Sequence, residues 1–195
     1  MLRHLSVHAP RLALNYSTRQ SCTRRTVTKL VEVPPVEVKE NDVCVKMLAA
    51  PINPSDINRI QGVYPVRPDP PAVGGYEGVG EVHSVGSSVT SLSPGDWVIS
   101  SPPSFGTWLT YIVKDEKVWH KIEKGVPMEY AATITVNPLT ALLMLEHCVA
   151  LNSGDAIVQN GRPAWMELTP FDDFNTALDK AMGKLGSQPK QVIKF

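Results

Sequence analysis

Apolar and polar positions change period along the chain, and the changes divide it. Residues 42–50 (DVCVKMLAA) alternate as a strand does, and residues 77–85, with Gly78 and Gly80, predict a second strand with close backbone approach. Residues 97–99, 106–113 and 118–122 are three further short strand candidates, the first preceded by the turn Ser93-Pro94-Gly95-Asp96. Residues 31–40, interrupted by Pro34-Pro35, read as an extended lead-in. Between the first two strands, Asn53-Pro54-Ser55-Asp56 carries helix-start chemistry for a helix of about two turns ending at Gly62. Pro65, Pro68, Pro70 and Pro71 then hold a loop that carries Tyr64. So many short strands between Pro/Gly turns predict a compact all-β barrel or sandwich up to residue 125.

Beyond that point the period becomes helical. Residues 127–133 and 138–149 predict two helices, the second apolar nearly all round and therefore expected to be buried. A turn at Asn152-Ser153-Gly154-Asp155 feeds a predicted strand, 156–159, which ends at Asn160-Gly161. Two helices followed by a strand ending in Gly should open a βαβ unit, yet Arg162-Pro163-Ala164-Trp165 intervenes and no crossover helix follows. The chain finishes instead with an amphipathic helix and a strand at 190–195. Phe171, Phe174, Leu178 and Ala181 form the helix's apolar stripe, Asp172 and Asp173 stand at its start, and Lys180 and Lys184 lie near its end.

Charge narrows the function classes. Basic and acidic residues balance at 19 each, but Arg3, Arg11, Arg19, Arg24, Arg25 and Lys29 all precede the first acid, Glu32. The remainder carries 13 basic against 19 acidic residues, with no basic stripe, which argues against a nucleic-acid partner. The acid-free, Arg-, Ser- and Thr-bearing first 25 residues, with Leu2, Leu5 and Leu12 near helical spacing, read as an organelle transit peptide; a disordered tail is the alternative. No run approaches the ~20 apolar residues of a membrane span. Cys22, Cys44 and Cys148 are far apart and lack C-x-x-C spacing, so neither a zinc lobe nor a disulfide framework is expected, and Cys44 and Cys148 read as packing residues.

Candidate chemistry is sparse. Gly75-Tyr76-Glu77-Gly78-Val79-Gly80 has the wrong spacing for a dinucleotide fingerprint and leads into a strand, so tight β packing is its simpler reading. Tyr64 is the best acid candidate, since a phenol is ordinarily protonated at neutral pH and can donate to an enolate. The competing reading is a half-buried tyrosine capping the barrel. His83 and His120 lie in strand-like runs without a nucleophilic partner, and Asn137, before Pro138, reads most simply as a helix N-cap.

Residues 50–86, the Ser93-Pro94-Gly95-Asp96-Trp97-Val98 turn, residues 131–141 (AATITVNPLTA) and Val158-Gln159-Asn160-Gly161 together resemble the medium-chain dehydrogenase/reductase superfamily. Within it they are similar to the mitochondrial trans-2-enoyl-CoA and enoyl-[acyl-carrier-protein] reductases of plant type. The resemblance implies a mainly β fold, a partly open GroES-like barrel with a few helices, α+β overall. It implies NADPH-dependent saturation of the C2–C3 double bond of an acyl thioester linked to carrier protein or CoA, in mitochondrial fatty acid synthesis. It places the family's proton-donating tyrosine on Tyr64, in INPSDINRIQGVY, and cofactor contacts on Asn137 and Lys190. Zinc is not expected, because Tyr76 stands where the zinc-using relatives carry His and their cysteine ligands are missing. The family's usual homodimer is expected of the parent enzyme only.

Two departures accompany the match. The family's first strand and glycine turn are not found between Ser17 and Val33, so a barrel without its first strand is expected. Six parallel strands and their crossovers need roughly 90 residues, whereas four stand between Gly161 and Met166. The implied organisation is a transit segment at 1–30, a catalytic barrel at 31–125, and helices with one strand at 126–161 that open a truncated nucleotide-binding domain. A helix and strand at 166–195 then return to the barrel. A non-catalytic acyl-thioester-binding fragment, such as a splice variant without hydride transfer, is the competing functional expectation.

Overall fold

The structure, a computed structural model, describes residues 11–16, 28–66, 68–101, 106–157, 166–186 and 188–195. Its strands are β1 (Arg11–Tyr16), β2 (Thr28–Val33), β3 (Asp42–Pro51), β4 (Ala72–Val73), β5 (Val79–Val85), β6 (Trp97–Ser100), β7 (Tyr111–Asp115), β8 (Trp119–Ile122), β9 (Met166–Pro170) and β10 (Lys190–Lys194). Its α-helices are α1 (Pro54–Ile60), α2 (Met128–Thr133), α3 (Asn137–Leu143) and α4 (Phe174–Ala181). The fold is mainly β with few helices, as the resemblance implies.

Strand β3 is the spine. It pairs antiparallel with β5 along one flank, with β7 through residues 42–46 and with β10 through residues 49–51 along the other. With β6, β8 and β9 these make a seven-stranded sheet, and β2, β1 and β4 make a second, three-stranded one. Val43, Val45 and Met47 of β3 meet Val82, Val98, Ile112 and Trp119 in the barrel core. The small side chains Ala49 and Val79 instead receive Ala131 and Ala132 of α2 together with Val192 of β10. A third cluster joins the ends of the chain: Trp108, Ile52 and Ile60 pack against Phe174, Leu178 and Ile193. The Trp108 and Phe174 rings cross edge to face with centroids 4.9 Å apart.

Several expectations need correction. Residues 11–16 and 28–33, read as part of a leader and an extended lead-in, pair as an antiparallel hairpin, so the barrel does not lack its first strand. Their pattern concealed it, because Leu30 is exposed while Thr28 is buried. Arg11 secures the hairpin, its Nε donating to the Tyr111 carbonyl at 3.1 Å and its Nη1 to that of Pro34 at 2.7 Å. The strand expected at 106–113 begins only at Tyr111. Residues 156 and 157 are not in a strand, and residues 158–165, including the predicted continuation and junction, lie outside the described residues, as does Cys22.

Helix α3 continues into one π-helical turn, Met144–Cys148, covering the predicted helical span. It is not buried: Leu142 is 49% and Met144 57% exposed, and Cys148, expected to pack, is exposed as well. All-round apolarity predicts burial only where another element covers the helix. No described element does so here. Strand β9 was not anticipated either, since its apolar Leu168 faces outward and Thr169 inward. It lies parallel to β10, and α4 forms the crossover between them.

Candidate functional site

The site is built where α1, the strand entry at Gly74–Gly78, the α2–α3 junction and the start of β10 converge. Helix α1 begins after Asn53, whose extended backbone starts the helix and whose N–H donates to an Asp56 carboxylate oxygen at 2.8 Å. This turn is buried, so Asp56 loses its solvation; burial pushes its carboxyl up to about 7, against opposing pulls from the Asn53 N–H, Arg59 and Lys190. The other carboxylate oxygen, Oδ1, has no hydrogen-bond partner. One helical turn later Arg59 stacks over the Tyr76 ring, Cζ 3.5 Å from its centroid, and one of its N–H groups donates to the Tyr76 hydroxyl.

Tyr64 sits half-buried in the loop after α1. Its ring meets the Tyr76 ring edge to face, with centroids 6.2 Å apart, and the Arg59 guanidinium lies 5.1 Å from its centroid. The loop is held at its root by the Val63 and Tyr64 N–H groups, both donating to the Asn58 carbonyl. Arg59 also lines a small cavity, together with Asp56, Ile60, Gly74, Gly75 and Trp108, among others.

Glu77, fully buried, is the polar centre. Its Oε1 accepts from Asn53 Nδ2 at 3.0 Å and has Lys190 Nζ 3.7 Å away. Its Oε2 accepts from Thr135 Oγ1 at 3.0 Å and from the Val136 N–H at 2.9 Å. Burial lowers the affinity of Lys190 for its proton, with Glu77 and Asp56 acting in the opposite direction.

The three residues singled out from sequence are thus unequally placed. Tyr64 and Lys190 belong to this cluster. Asn137 is exposed and, as the first residue of α3, is not the N-cap; Val136 is. Only its preceding backbone N–H is tied to Glu77. Sequence reasoning did not select Arg59, Tyr76, Asp56 or Glu77. A usable signal existed for Glu77, a lone carboxylate inside a glycine run that enters a buried strand, because such a charge must find partners. Among the described residues no group of three or more His, Cys, Asp or Glu is arranged to hold a metal ion.

Do these residues fit a dinucleotide? The glycines at 74–80 are occupied by packing. A Cβ on Gly75, whose φ is +93°, would come within 2.8 Å of the Trp108 backbone nitrogen, and one on Gly78 within 2.8 Å of the Ala49 carbonyl oxygen. The run is therefore a tight β seam with no cradle for a pyrophosphate. Within the described residues, the glycine run does not fit the pyrophosphate of a dinucleotide.

The architecture and this seam define the GroES-like class, and residues 39–124 match the family model described as the alcohol dehydrogenase GroES-like domain. In sequence and in fold the chain is similar to mitochondrial enoyl-[acyl-carrier-protein] reductases and to enoyl thioester reductases of known structure. Over 136 residues it is 79% identical to the mitochondrial enoyl-[acyl-carrier-protein] reductase of Arabidopsis thaliana, covering 70% of this chain and 36% of that one. The Homo sapiens protein of the same name is 51% identical over 135 residues, 68% of this chain and 36% of that one. Among solved structures, the Etr1p/NADP/crotonyl-CoA complex superposes with a TM-score of 0.69 at 34% identity, covering 91% of this chain and 52% of the other. A mutant form of the enoyl thioester reductase of Candida tropicalis superposes at 0.67 and 33% identity, covering 89% and 52%. The chain thus spans about half the length of the solved relatives and 36% of the Arabidopsis and human ones.

Proposed function

We propose that this chain is the substrate side of an NADPH-dependent trans-2-enoyl thioester reductase of mitochondrial fatty acid synthesis, with Tyr64 as its acid. The observation that carries the reading is the mounting of Tyr64 against Tyr76 and Arg59, the latter also lining the cavity of the seam. The hydroxyl of a tyrosine so held can supply a proton to C2 of the thioester or hydrogen-bond the enolate oxygen. NADPH supplies the hydride in this chemistry. Lys190 and Asn137 are the proposed points of contact with it, and they stand at the edge of the site without a pyrophosphate cradle. The ligand is an acyl thioester on acyl carrier protein or CoA. A mitochondrial location is supported by the names of the relatives and by the transit-like composition of the N-terminus.

Isothermal titration tests both halves of the reading. Crotonyl-CoA should bind saturably, and Tyr64→Phe should weaken binding by the loss of one hydrogen bond, about fivefold. NADPH should bind weakly or not at all. Absence of crotonyl-CoA binding sinks the substrate assignment, and micromolar NADPH binding sinks the division of the site. The second reading, a non-catalytic acyl-thioester-binding module, is favoured by the uncovered apolar face of α3. NADPH oxidation in the presence of crotonyl-CoA separates the two: turnover selects the enzyme, and binding without turnover selects the module.

A further inference from the structure

Glu77 touches neither Tyr64 nor the cavity directly, yet every element of the site is fastened to it. Its two oxygens receive Asn53 from the head of α1, Thr135 and Val136 from the α2–α3 junction, and Lys190 from the head of β10, four partners separated by up to 137 positions in the chain. On its N-terminal side is Tyr76, which carries the Arg59 and Tyr64 contacts. Its own carbonyl accepts from Thr107 Oγ1 at 2.7 Å, next to Trp108 at the cavity wall. A carboxylate costs several kcal/mol to bury when unpaired, so this cluster has one strongly preferred arrangement.

From this geometry we infer that Glu77 is the positioning residue of the acyl-thioester site, fixing the Tyr76–Tyr64 pair relative to the α2–α3 junction and Lys190. The inference rests on the proposed substrate side. A carboxylate is the group the position requires, because it accepts on both oxygens. The amide of Gln accepts on one only, and its NH2 would face either the Asn53 and Lys190 donors or the Thr135 and Val136 donors. The tether to the junction would then loosen, and the register between junction and tyrosine pair with it.

The test measures crotonyl-CoA affinity by isothermal titration on the full chain, at a temperature where circular dichroism shows each variant folded. Glu77→Gln should weaken binding about tenfold, as expected for hydrogen bonds to a charged group. Thr135→Val, which keeps the side-chain shape and removes one donor, should weaken it about fivefold. Thr135→Ser, which restores the hydroxyl, should return the affinity to within about twofold of the wild type. A merely structural role would lower the melting temperature of these variants and leave the affinity of the folded chain unchanged. Unchanged affinity in Glu77→Gln and Thr135→Val overturns the inference while leaving the proposed function standing. Should Glu77→Gln fail to fold, the Thr135 pair decides. If the wild-type chain does not bind crotonyl-CoA, the proposed function fails, and the inference fails with it.

Discussion

Replacing Asp56 with Asn should change the pH dependence of stability more than any other single substitution in the site. The carboxyl is fully buried, one of its oxygens has no partner, and its folded-state pKa is pushed up to about 7 from the ordinary 3.8. Below about pH 4 folded and unfolded chains both hold the proton, so wild type and variant should differ little. Between there and about pH 7 the unfolded chain has released its proton while the folded chain retains it. Each unit of rising pH therefore costs the wild type about 1.4 kcal/mol. Above that range both states are ionised and the deficit levels off on the order of a few kcal/mol. Asn mimics the protonated form, and its amide oxygen can still accept the Asn53 N–H bond. Urea denaturation at about pH 4, 6 and 8 should thus show Asp56→Asn gaining on the wild type as the pH rises. Parallel stability curves, or a variant that loses ground at the higher pH, would refute the burial argument.

Four further outcomes follow from packing and exposure. Gly86→Ala should lose about 3 kcal/mol or more, because its Cβ would run into the Lys39 and Glu40 carbonyl oxygens, which are backbone and cannot turn aside. Gly125→Ala, with nothing within 4 Å, should melt within a degree or two of the wild type in the same scan. Trp108→Ala should cost about 3–5 kcal/mol by chemical denaturation, since it empties the joint between α1, the glycine seam and α4 and removes the 3.2 Å bond from Nε1 to the Pro51 carbonyl. Leu142→Lys combined with Leu145→Lys should reduce concentration-dependent association in sedimentation velocity without lowering the melting temperature, as both side chains are exposed on the α3 segment.

The local pattern carried much of the fold. The alternation in 42–50, the Asn-Pro-Ser-Asp helix start and the amphipathic stripe of Phe171, Phe174, Leu178 and Ala181 correspond to β3, α1 and the Phe171–Ala181 segment within a residue or two. These elements owe their form to neighbours along the chain. The motifs of residues 50–86 likewise pointed to the enoyl reductase relatives that the chain resembles and singled out Tyr64 as the residue to test.

Tertiary structure decided what depends on distant partners. Leu30 and Leu168 are exposed while Thr28 and Thr169 are buried, so β1–β2 and β9 are strands by virtue of the ladders they join rather than by the burial pattern their own residues predict. Apolarity made 138–149 a helix, but burial needs a covering element, and the sequence of a helix does not contain one. Glu77 is the sharpest instance. A single carboxylate among glycines announced that it needed donors, whereas their identity, Asn53, Thr135, Val136 and Lys190, was set only when β3, β5 and β10 brought three separated segments around one buried charge.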